Sequence, residues 1–212
     1  GCAAALLQSL EFAELIENRG DRLIDIIAIR PAHWYTLPTT DHPTTGVSGM
    51  NWTSALSENP VLEEAIAECG VAIKNVAGGE TLDLAVAFIS PHYEDSYDRV
   101  ADLIAETLGA KHVFGCSGGG VIGNGVEVEQ RAGVSITAAV LPNVNVRPFH
   151  LEGDLLPDMD AGPDKWAGLV GVQADQDPHF VMLADPYSFP VQHLLMGMDF
   201  AFPRAAKIGG LA

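Results

Sequence analysis

The chain is 212 residues long, enough for one large domain or a domain with an extension. Its 48% hydrophobic content is that of a globular core and excludes a disordered chain. Eleven Lys and Arg against 28 Asp and Glu leave a net charge of −17, a field that repels phosphate backbones and anionic membrane surfaces, so neither nucleic acid nor membrane is an expected partner.

In chain order, residues 1–30 read as a helical N-terminal extension: Leu6, Leu7, Leu10, Ala13, Leu15 and Ile16 recur at helical spacing, and Asn18-Arg19-Gly20 is a stop. Within it, Asp21 to Ile29 is an apolar segment that is open between helix and strand. Residues 31–49, rich in Pro and Thr, have linker chemistry. The α/β domain then occupies 50–212. Ser57 as N-cap and Pro60 just inside predict a helix over 60–76. The continuous apolar run of TLDLAVAFIS predicts a strand covered on both faces. SYDRVADLIAETLG is a helix stopped by Gly109, and KHVFGCS is a second buried strand. Strand, helix and strand within about 35 residues make a parallel βαβ unit.

Next, VEVEQ, VSITAAVLP and VNVRPFHLE are expected as antiparallel, hairpin-connected strands, followed by an acidic loop over 154–164 and a short helix over 165–170. PHFVMLADP is a strand, PVQHLLMGMDFAF a helix, and AAKIGGLA one more strand. The fold class is therefore α/β: a mixed sheet with a parallel βαβ core, antiparallel strands in the middle and helices on its faces. Ending on a new strand, the domain reads as incomplete at its C-terminus, with a sheet edge that a partner chain would cover.

Three strands run into loops of chemical interest: Ser90-Pro91-His92-Tyr93, the glycine string Gly115 to Gly125, and Ala184-Asp185-Pro186-Tyr187. Ligands of open α/β sheets bind beyond the carboxyl ends of the strands, where all three loops lie if the strands are parallel. Close glycines let backbone amides meet an anion. The same string also serves a tight turn with no ligand. It is neither a phosphate-binding P-loop, since no Gly-Lys-Ser/Thr follows, nor a dinucleotide fingerprint.

Gly115-Cys116-Ser117-Gly118-Gly119 matches the G-x-S-x-G pattern of a nucleophile elbow, with a strand before it and no convincing helix after it. Cys116 is either a nucleophile needing a base such as His92, His112 or His179, or a small buried hydrophobe. Three scattered cysteines and seven scattered histidines show no metal-ligand spacing, and no cofactor is expected. No apolar run approaches bilayer length.

Taken together, Phe88, Ser90, His92 and Tyr93, then Gly115-Cys116-Ser117, Gly120, Ile122 and Gly123, then Glu127 and Glu129, with the later ADPYSF and KIGGLA, resemble the N-terminal half of the FIST domain family over about residues 51–212. The resemblance implies signal transduction and sensing of a small ligand such as an amino acid, without an established catalytic activity. It also implies a second, C-terminal half. Expected ligand-binding residues are His92, Tyr93, Cys116, Ser117, Gly118, Gly119, Asp185 and Tyr187. Amides of 117–120 would take a carboxylate, and Asp185 an amine. The expected setting is soluble and intracellular, the cytoplasm or a plastid stroma. Two alternatives stand beside this: an interaction or scaffold subunit of a larger assembly, photosynthetic ones included, with a partner on the open sheet edge or the N-terminal extension; and a hydrolase using Ser117 or Cys116.

Overall fold

A computed structural model describes residues 50–212 in full and 23–31 as backbone. The helix expected over the first twenty residues and most of the expected linker lie outside the described residues. The apolar segment left open between helix and strand is a strand, β1 (Leu23–Pro31).

The remaining elements alternate as a mixed α/β chain. They are β2 (Asn51–Ser57), α1 (Leu62–Ala77), β3 (Leu84–Ile89), a 3-10 segment (Pro91–Arg99), α2 (Val100–Leu108), β4 (Val113–Ser117), β5 (Gly120–Gly123), β6 (Val126–Glu129), β7 (Val134–Val140), β8 (Val144–Glu152), α3 (Pro163–Val170), β9 (His179–Ala184), α4 (Val191–Ala201) and β10 (Lys207–Leu211). They build two four-stranded sheets, ordered β2-β7-β3-β4 and β10-β9-β1-β8, and a separate β5-β6 hairpin. Each sheet is mixed. β3 and β4 are parallel across α2, and β9 and β10 are parallel across α4, whereas the other pairings are antiparallel.

Three apolar clusters show how the layers stack. Ala85, Ala87 and Ile89 of β3 meet α1 and α2 through Ile66, Ile73 and Ile104. The alternate residues, Leu84 and Val86, meet Val181 and Leu183 of β9. On the far side of β9, Phe180 and Met182 pack on Trp166 of α3 and on Leu194 and Met198 of α4. The period-2 alternation of strand side chains thus generates four layers: helices, sheet, sheet, helices.

Two sequence expectations change here. Ser57 does not cap α1; it closes β2, and its hydroxyl donates to Glu68 Oε2 at 2.5 Å while accepting from Asn59 N–H. Asn59 Oδ1 takes the Val61 N–H instead, so the helix begins two residues late. VEVEQ, VSITAAVLP and VNVRPFHLE are strands, but they do not pair with one another. β6 pairs with β5, β7 lies between β2 and β3, and β8 pairs with β1, because the turn after Val140 carries the chain from one sheet to the other.

Candidate functional site

β3 and β4 are parallel neighbours, so their carboxyl ends bring the loops at Ser90 and Ser117 together, as the βαβ reading requires. Hydrogen bonds fasten that edge. Gly118 N–H donates to Ile89 O at 2.9 Å, and Ser90 exchanges bonds with Gly133, its N–H to Gly133 O and the Gly133 N–H to its Oγ, both at 2.9 Å. The Tyr97 hydroxyl donates to Ser90 O at 3.3 Å. Ser117 lies close enough to the same hydroxyl to favour its charged form. Burial, the larger effect, still raises its pKa above that of a free phenol. One tyrosine therefore bridges the two loops.

Beyond this edge lies a cavity of about 840 Å³. It has the size of a small-ligand site. Its floor is the glycine loop from Cys116 to Gly120. Val86 and Phe88 of β3, Ser135 and Thr137 of β7 and Trp52 of β2 form a largely apolar wall, while Ile122, Glu127 and Glu129 of the β5-β6 hairpin and Leu211 and Ala212 at the end of β10 complete it. The hairpin is anchored, not loose: Val121 and Val128 are fully buried, and Ser135 Oγ donates to Ile122 O at 2.8 Å. Gly123 is required there, since a Cβ would stand 2.7 Å from Ser135 Oγ.

Four of the eight residues expected at the site, Cys116, Ser117, Gly118 and Gly119, line this cavity; His92, Tyr93, Asp185 and Tyr187 do not. His92 is exposed. Tyr93 is buried, and its hydroxyl donates to Asn59 O. Both Asp185 carboxylate oxygens hold their own turn: one accepts Tyr187 N–H at 2.9 Å, the other Ser188 Oγ–H. Tyr187 stands almost wholly in solvent. The Asp185 loop follows β9, which belongs to the other sheet, so the three loops do not share one sheet edge.

The match to a family model covers residues 83–212 and carries the description FIST N domain. The chain belongs to the FIST family. Neither a curated protein nor a solved structure matches it. FIST domains are associated with signal transduction and small-ligand sensing. The matched residues of this FIST domain contribute nearly all of the cavity, Trp52 excepted.

Sequence reasoning missed Tyr97, Trp52 and the role of β6. The signal for β6 was present: in Val-Glu-Val-Glu, burial of Val128 places Glu127 and Glu129 together on the opposite face. Among the described residues no group of His, Cys, Asp and Glu is arranged to hold a metal ion, and no helix is long and apolar enough to cross a membrane.

Proposed function

We propose that this FIST N domain is a sensory domain that binds a small molecule such as an amino acid in the cavity beyond the ends of β3 and β4. The observation that carries the reading is the coincidence of that cavity with the glycine loop. The loop's amides are the intended anion donors, with one amendment. Gly118 N–H is spent on Ile89, which leaves Gly119, outside both strands, as the donor to test. A Cβ at Gly119 meets nothing within 4 Å, so a larger residue there fills space without disturbing the fold. In calorimetry with a panel of amino acids, Gly119→Val should abolish binding and leave the unfolding midpoint unchanged. Unaltered affinity in that variant would remove the site from the loop.

The hydrolase alternative requires a base beside Ser117 or Cys116. The side chain that meets Ser117 is Tyr97, a phenol whose raised pKa keeps its proton at neutral pH, which makes it a poor base. The subunit alternative has an observation in its favour. Leu195, Ile208 and Leu211 are exposed around a groove of about 360 Å³ between α4 and the edge strand β10. Light scattering on the eluted protein tests it: Ile208→Lys should dissolve any assembly built on this edge.

A further inference from the structure

The apolar wall of the cavity is one face of the β2-β7-β3-β4 sheet, and the register of that sheet sets three side chains on a diagonal. Trp52 of β2 stands opposite Ala139 of β7, while Val86 and Phe88 of β3 stand opposite Thr137 and Ser135. Trp52, Thr137 and Phe88 therefore step across three neighbouring strands, two residues at a time. With strands about 4.8 Å apart and about 3.4 Å per residue, each step is roughly 8 Å. All three line the cavity, whereas Ala55, Ala138 and Ile89, on the opposite face, belong to the core that the helices cover.

Two aromatic rings thus flank one hydroxyl. Ser135 Oγ–H is given to Ile122 O, and Ser117 lies beside Tyr97. The Thr137 hydroxyl has no hydrogen-bond partner among the described residues, and its oxygen is not sealed from solvent. Glu127 and Glu129 are exposed on the hairpin, and Glu127 already has a partner, so the wall rather than their charge decides what fits. A ring between aromatic side chains gains stacked or edge-to-face contacts that an aliphatic group does not. A wall hydroxyl favours a ligand that brings it a partner, because a ligand without one leaves that polar group unmet.

Resting on the cavity as the ligand site, we propose that its ligand carries an aromatic ring with a hydroxyl at its edge. The ring packs between Trp52 and Phe88, and its hydroxyl bonds to Thr137 Oγ1.

Calorimetry on the full chain tests this with four probes: tyrosine, phenylalanine, leucine and p-cresol. Tyrosine should bind about fivefold more tightly than phenylalanine, the worth of one hydrogen bond, and phenylalanine at least about twofold more tightly than leucine, the worth of an aromatic pair. Thr137→Val keeps the β-branched shape and should bring tyrosine down to the affinity of phenylalanine, with phenylalanine binding retained. Trp52→Leu keeps the wall apolar and should erase the advantage of phenylalanine over leucine. Leucine binding as tightly as tyrosine overturns the inference, as does a tyrosine preference that survives Thr137→Val. Where such leucine binding is lost in Gly119→Val, the cavity stands as the ligand site and only the ring assignment falls. Binding of p-cresol as tight as that of tyrosine sustains the ring assignment and removes the amino-acid head group from the reading. Failure of every probe at millimolar concentration removes both the site and the ring.

Discussion

Gly115→Ala separates the two uses a glycine string can have. At Gly115, in the middle of β4, an added Cβ would lie 1.7 Å from Ala87 O and 2.6 Å from Ala87 C on the paired strand. The obstacle is backbone, so no side-chain rotation relieves it. An ordinary carbon–oxygen contact of about 3.2 Å requires the strands to part by roughly 1.5 Å, which takes a ladder hydrogen bond from about 2.9 Å to well beyond 4 Å. Two or so buried bonds open around that point, each leaving unsatisfied groups at about 1–3 kcal/mol. The expected loss is on the order of 3–5 kcal/mol, a third or more of the stability of a typical domain. Urea unfolding measures it directly. The Cys116–Gly120 floor should shift with the strand, so ligand binding should fall together with stability, unlike in Gly119→Val. A Gly115→Ala protein within about 1 kcal/mol of the parent would refute the argument, because it would mean that β3 and β4 do not approach as described.

Three further outcomes are expected. Gly197→Ala gains about 1 kcal/mol of helix propensity. Its Cβ, however, would stand 2.2 Å from the rigid Trp166 ring, an overpacking that costs about 1–3 kcal/mol, so a calorimetric scan should show a lower Tm, and a higher one would refute the packing. Burial, then Lys111, depresses the His112 pKa while Asp83 opposes this, so the unfolded state takes up the proton first and stability should fall as pH drops below about 6.5; His112→Gln should flatten that limb of a urea-midpoint profile, and an unchanged slope would refute it. Burial chiefly pushes the Cys69 thiol up to about 12, so iodoacetamide at pH 8 should leave Cys69 unmodified until the protein unfolds, and peptide masses showing native labelling would contradict this.

Local pattern carried the helices and most strands. Leu84 to Ile89 read as covered on both faces, and it is, but apolarity does not say by what: Ala85, Ala87 and Ile89 meet helices, and Leu84 and Val86 meet another sheet. That pairing of sheets depends on partners far apart in the chain, which no window of sequence displays. β2 escaped notice because Asn51, Thr53, Ser54 and Ser57 interrupt its apolar residues, so NWTSALS carries neither a clean alternation nor an apolar run. The glycine loop was legible as a site candidate through its spacing. Asp185 was misleading because a turn-holding Asp and a ligand-holding Asp look alike until hydrogen bonds are assigned.

The place of β1 has a consequence for how the protein is made. It lies between β8 and β9, with Ile29 opposite His179, about 150 residues later in synthesis. At ribosomal rates of roughly 5–20 residues per second, its neighbours β8 and β9 emerge about 6–30 s after it does. For that interval the strand LIDIIAIRP is an apolar segment with both edges unsatisfied, a natural client for a holding chaperone. The second sheet is therefore completed around a strand made well before its neighbours, and the pace of translation sets how long that strand has to be kept from pairing with other chains on the polysome.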